Sequence, residues 1–161
     1  MSQPNPAGPD SPAPADARLD LLRTQRTGVL VTLKRDGRPQ LSNVSFTYDD
    51  ATRLIRISAT DGRAKTRNLR RDPRASFYVT APGLRTYLVA EGDAAITPVA
   101  ADPHDATVEE LVEVYRAIAG EHPDWDDYRA AMVADGRLVI SLRADRVYGL
   151  GAGGPVSGPL D

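Results

Sequence analysis

The chain has 161 residues, of which 41% are hydrophobic, with a net charge of −2, a pI near 5.7 and no cysteine. That length suits one domain with a real core and is short for two, and the mild acidity argues against a general nucleic-acid or membrane-surface binder. The lack of cysteine excludes disulfides, thiolate metal sites and cysteine nucleophiles, and no apolar run approaches the roughly 18 residues of a membrane-spanning helix.

The opening "MSQPNPAGPDSPAPAD" holds five of the thirteen prolines and almost no bulky apolar residue. It has neither the cationic nor the apolar region of a secretory signal, so residues 1–16 read as a disordered Pro-rich tail and the cytoplasm as the location. "DARLDLLRTQ" then suggests a short helix. From Thr27 the dominant period is two. Val29, Val31 and Leu33 alternate with Leu30, Thr32 and Lys34, Asp36-Gly37 supplies a turn, and Val44, Phe46 and Tyr48 alternate with Asn43, Ser45 and Thr47 on the return strand. "RLIRISA" is a third strand, "RASFYVT" a fourth, and "RTYLVAEGDAAITP" a fifth in which Gly92 is expected to mark a bulge. "TVEELVEVYRAIAG" has helical spacing, with Thr107 and Glu110 as a capping-box pair and Gly120 as a stop. "DWDDYRAAMVADG" is a second helix, and Tyr115, Trp125 and Tyr128 are the expected aromatic anchors of the pair. "RLVISLRADRVYGL" is the sixth strand. Residues 151–161, rich in glycine, are expected to be a flexible tail, which leaves 17–150 as the folded unit. Six strands with short connections imply a mainly β fold: an antiparallel sheet curled into a barrel, with helices.

Between strands three and four lies "GRAKTRNLRRDP". From Arg63 to Arg74 six cations face one acid, a local charge of +5 in an acidic chain. As a short helix ended by Asp72-Pro73, it places Arg63, Lys65 and Thr66 in the first turn, where free backbone N–H groups favour an anion. Cations are badly placed there unless something negative offsets them. These residues therefore suit a phosphate cradle. The same run is compatible with a solvated charged helix, or with a nucleic-acid patch. Against the patch, Phe46, Tyr48, Phe77 and Tyr78 alternate within strands and read as core, not as a stacking platform.

Other motifs point nowhere. His104 and His122 have no serine elbow nearby and read as surface residues, and two histidines without cysteine make a metal site unexpected. No Gly-rich nucleotide loop is present. Asn43-Val44-Ser45 matches a glycosylation sequon by chance in a chain without a secretion signal. The acids Glu121, Asp124, Asp126 and Asp127 are explained by helix capping.

Taken in order, "GVLVTLKRDGRPQLSNVSF", "RAKTRNLRRDPRAS", "YLVAEGDAAITP", "IAGEHPDWDDYRAAM" and "LVISLRADRVYGL" resemble the pyridoxamine 5'-phosphate oxidase-like proteins. The likeness is to the actinobacterial branch that uses the deazaflavin coenzyme F420, and it covers about Leu19 to Leu150. It implies a six-stranded split β-barrel, of the FMN-binding type, that forms a homodimer with cofactor at the subunit interface. It also implies an oxidoreductase in which reduced F420 gives a hydride to a small organic acceptor, the protein binding, orienting and excluding solvent. Carried over by motif, Arg63, Lys65, Thr66 and Asn68 are the expected contacts to the cofactor phosphate and linker. Asn43, with Ser42 and Val44, is expected near the ring, and Tyr87 beside it. Lys34 and Arg38 are weaker candidates for the acidic tail. The alternatives are an FMN-dependent enzyme of the same fold and a non-catalytic F420-binding protein. No residue declares itself as a catalytic acid.

Overall fold

The computed structural model describes residues 16–160; the expected Pro-rich tail lies, but for Asp16, outside the described residues. A 3-10 turn at Ala17–Leu19 leads into α1 (Asp20–Thr24). The strands are β1 (Thr27–Leu33), β2 (Pro39–Ser45), β3 (Thr47–Asp49), β4 (Leu54–Thr60), β5 (Arg74–Thr80), β6 (Tyr87–Ile96), β7 (Arg137–Arg143), β8 (Arg146–Gly151) and β9 (Gly154–Pro159). Helix α2 (Ala64–Arg71) joins β4 to β5, while α3 (Ala106–Ala119) and α4 (Trp125–Ala134) lie between β6 and β7. All pairings are antiparallel, in the order β2-β1-β5-β6-β7-β4-β3, with β8 on β6 and β9 on β8. The sheet curls around its own apolar face into a half-barrel, the mainly β architecture that the period-two pattern predicts.

The six expected strands become nine for three local reasons. The return strand of the first hairpin breaks at Phe46, which is fully buried and packs edge-to-face on Phe77 at 4.7 Å. Before it β2 pairs with β1; after it β3 pairs with β4. The last expected strand divides at Ala144, whose N–H is bonded to the Arg53 carbonyl at 3.0 Å, so that β7 serves β4 and β6 while β8 crosses to another stretch of β6. Third, the expected flexible tail is β9. It pairs with β8 from Arg146↔Pro159 to Gly151↔Gly154, and its Val156 and the following Leu160 pack against the barrel core. Its prolines sit on an edge strand, where the missing N–H costs nothing to the ladder.

Gly92 is not a bulge. The β5–β6 register runs unbroken through Ala75↔Gly92, and β6 takes up β7 from Ala94 onward. A Cβ at Gly92 would stand 2.6 Å from the Arg143 carbonyl oxygen, so the glycine is required by close approach of the backbone. The first turn is as expected, with Gly37 at φ 86°.

Two apolar layers hold the fold. The barrel core is built from alternate strand residues, among them Leu30, Phe46, Ile55, Ile57, Phe77, Leu88, Leu138, Ile140 and Leu142. A second core, with Val108, Leu111, Val112, Tyr128, Met132 and Val139, seats α3 and α4 on the outer side of β7. Tyr115 and Trp125 pack against it as expected, but His122 joins them rather than facing solvent, its ring 5.3 Å from Tyr115 and 5.4 Å from Tyr128. The cap of α3 differs from the expected box. Asp105 is the N-cap, accepting from Val108 N–H at 2.8 Å, while Thr107 is buried and donates to the Pro98 carbonyl at 2.9 Å. An aspartate at that position reaches the free helical N–H groups without distortion, and Thr107 lies two residues too far in. No described helix is long and apolar enough to cross a membrane.

Candidate cofactor site

Helix α2 begins where β4 ends. The Arg63 N–H is bonded to the Thr60 carbonyl at 3.2 Å, and the Thr66 hydroxyl donates to the same carbonyl at 3.0 Å, which fixes the angle between strand and helix. Arg63 is the N-cap, and its side chain makes no capping bond. The first turn contains no acid, whereas α3 and α4 are each capped by an aspartate. This end of α2 is therefore positive three times over: from the dipole, from Arg63 and from Lys65.

The expected site residues divide by use. Arg63 is exposed and Lys65 half-buried, and neither forms an ion pair with another described residue. Burial, and then the neighbouring charges of Arg63 and Arg137, push the Lys65 ammonium below its ordinary range. Thr66 and Asn68 are buried and turned inward. The Asn68 amide donates to the Thr32 hydroxyl and the Gln40 side-chain oxygen, each at 3.1 Å, and its carbonyl accepts from Arg71. Arg70 and Arg71 are exposed but have partners: Arg70 pairs with Asp61, and Arg71 donates to the Leu33 carbonyl at 2.6 Å.

Asn43 and Tyr87 belong to a different surface, the outer face of the β1–β2–β5–β6 sheet. The register sets Asn43, Val29, Tyr78, Val89 and Tyr148 in one cross-strand row. Tyr87 stacks on Tyr78 with ring centroids 5.8 Å apart. Tyr78 is thus a surface aromatic rather than the core residue its alternation suggested. A cavity of about 380 Å³ lies on this face, lined by Thr27, Gly28, Val29, Asn43, Tyr78 and Thr80. Ser42 and Val44, by the alternation of the pleat, turn to the other face, where Val44 packs against the core. Leu41, again on the outer face, is 64% exposed. Lys34 and Arg38 are exposed in the β1–β2 turn, Arg38 lying 3.8 Å from Asp36.

Two features were not legible as site residues. Arg137 opens β7 opposite Thr60 and adds its charge to Arg63 and Lys65. Tyr78 offers a flat ring between Asn43 and Tyr87. Both depend on strand pairing, which no local motif announces.

The half-barrel, with a cationic helix start and an aromatic-lined cavity on its sheet, defines a class by architecture: the split barrel. The pyridoxamine 5'-phosphate oxidase family model matches residues 15–151, and the chain belongs to that family, whose members are generally oxidoreductases and bind flavins such as FMN. Among solved structures it is similar to a conserved hypothetical protein of Mycobacterium tuberculosis, 24% identical over 88% of this chain and 86% of that one, with a TM-score of 0.66. It is similar also to an F420 reductase, 26% identical over 85% and 98% of the two chains, TM-score 0.57. A heme-binding protein of Mycobacterium smegmatis shares the fold at 22% identity, covering 92% of this chain and 59% of that one, TM-score 0.65.

Proposed function

We propose that the protein is an F420-dependent oxidoreductase that works as a homodimer in the cytoplasm on a small organic acceptor. The observation that carries this reading is the unpaired pair Arg63 and Lys65 at an uncapped helix start, desolvated enough to depress the lysine. Holding such charges without a counter-ion is unfavourable, and a bound phosphate offsets it with charge-assisted hydrogen bonds. The similarity to an F420 reductase supports the deazaflavin reading.

The residues present fit such a group. Arg63 and Lys65 would hold its phosphate; Asn43, Tyr78 and Tyr87, on the other surface, would border its ring from the second copy of the homodimer. Thr66 and Asn68 contribute through position, by anchoring α2 to β4 and β1. When bound, reduced F420 supplies a hydride to the acceptor. The protein's own part is to orient the two and exclude water from an apolar face. That face is half-exposed in the single chain, with Val29, Val31 and Leu41 on it, and a second copy would cover it.

Parallel titration with F420 and FMN, followed by an acceptor screen with each, tests the reading. The expected result is F420 binding that weakens with salt and with Lys65→Ala. Turnover supported by FMN alone would establish the flavin enzyme instead, and F420 binding with no acceptor reduced would favour a cofactor-binding protein. Leu41→Asp is expected to shift the sedimentation profile from dimer to monomer.

A further inference from the structure

The layer formed by α3 and α4 on the sheet is not filled along its whole length. Between the C-terminal half of α3, helix α4 and the strands β4 and β7 a cleft of about 290 Å³ remains. Its walls are Ile118, Ala119, Tyr128 and Met132, with Ser58 and Arg137 on the strand side. This cleft is distinct in lining from the cavity beside Asn43.

Arg137 is the unusual member. Its Nε is buried without a hydrogen-bond partner, and its Nη1 reaches the Ser58 hydroxyl at a long 3.4 Å. Arg56 shares a buried, unbonded Nε, but it and the other arginines around these helices have acid partners: Arg56 has Glu113 at 3.1 Å, Arg129 has Glu109 at 2.6 Å and Arg116 has Glu121 at 2.6 Å. Helix α3 thus carries several acids and gives none to Arg137. Lys65 is a cationic neighbour as well: burial first, and then the charges of Arg63 and Arg137, hold its ammonium below the ordinary range. A half-buried guanidinium with a free donor, set against an apolar wall and beside further cations, is unfavourable by itself. It becomes favourable when a carboxylate meets the guanidinium and an apolar body displaces water from the wall.

We propose that this cleft is a second ligand site, for a small organic anion with an aromatic or branched apolar body. Arg137 takes the carboxylate, and Ile118, Tyr128 and Met132 take the body. A fully hydrated inorganic anion gains nothing from the wall, so the apolar body decides the class.

Titration of the cofactor-free protein with phenylacetate and with its uncharged isostere phenylacetamide, followed by ligand-observed NMR and calorimetry, tests this directly. Phenylacetate is expected to bind at least about tenfold more tightly than the amide, the size of one charge-assisted hydrogen-bonded contact. Arg137→Gln should remove that preference. Ala119→Trp, on the exposed end of α3, should block the cleft and abolish binding in a protein whose circular dichroism is unchanged. Equal affinity for acid and amide, or unaltered binding in either variant, overturns the proposal. So does competitive displacement of phenylacetate by F420, which would make the cleft part of the cofactor site. Since the titration contains no cofactor, its failure leaves the F420 reading standing, and failure of F420 to bind leaves this site standing.

Discussion

The side-chain amide of Asn68 on α2 donates to the hydroxyl of Thr32 on β1 at 3.1 Å, and both residues are buried. The same amide reaches Gln40 on β2, so one residue ties the cationic helix to two strands of the sheet. Together with the bonds of Arg63 and Thr66 to the Thr60 carbonyl, Asn68 sets where Arg63 and Lys65 stand.

Asn68→Ala should accordingly act without touching charge. It strands the Thr32 hydroxyl in the interior and loosens α2, at a cost of about 1–3 kcal/mol in urea unfolding. Cofactor affinity should fall with it, yet the salt dependence of binding should stay that of the wild type. A flattened salt dependence would instead place Asn68 in direct contact with the anion.

Lys65→Met should separate stability from binding. The ammonium is depressed by burial and by Arg63 and Arg137, so its charged form is less favourable folded than unfolded at every pH below its folded value. Removing it is expected to raise the melting temperature of the cofactor-free protein by about 1–3 °C at neutral pH, partial exposure screening the rest. The gain should fade as pH rises through the folded and then the unfolded value of the lysine. Calorimetry across pH checks the sign, and loss of F420 binding in the same variant checks the role.

Asp105 holds the start of α3 through its side-chain oxygens, which accept from Val108 N–H at 2.8 Å, Ala101 N–H at 2.8 Å and Asp102 N–H at 3.1 Å. Those bonds hold its carboxyl below the usual range, so its contribution is complete above the unfolded value and is lost as pH falls toward the folded one. Asp105→Ala should cost about 0.5–2 kcal/mol at neutral pH and less under acid conditions, measured by denaturant titration at both.

Deleting residues 152–161 should destabilise the protein, contrary to what a flexible tail would give. The truncation removes β9, strips the edge of β8 and uncovers the core surface beneath Val156 and Leu160. A clear fall in melting temperature is expected; an unchanged one would mean that β9 does not stay paired in solution.

How much of this was legible follows from the range of each interaction. Alternation within β1, β4 and β5 is a property of adjacent residues, and so is the end of α2 at Asp72-Pro73, where a proline forbids the helical conformation before it. The crowding of cations at Arg63 and Lys65, and the anion it calls for, could likewise be read from neighbours in the chain. Thr66 and Asn68 were legible as special but not as inward-facing, since their partners Thr60, Thr32 and Gln40 belong to separate strands.

The sequence by itself determined a mainly β domain with a basic helix start, because period, turn and charge density act over a few residues. Tertiary structure alone decided that the chain changes sheet partners at Phe46, that a glycine-rich end becomes β9, and that Arg137 stands beside Lys65. Each of these depends on which distant strand lies alongside, a choice made by burial and hydrogen-bond pairing across the whole barrel rather than by any local preference.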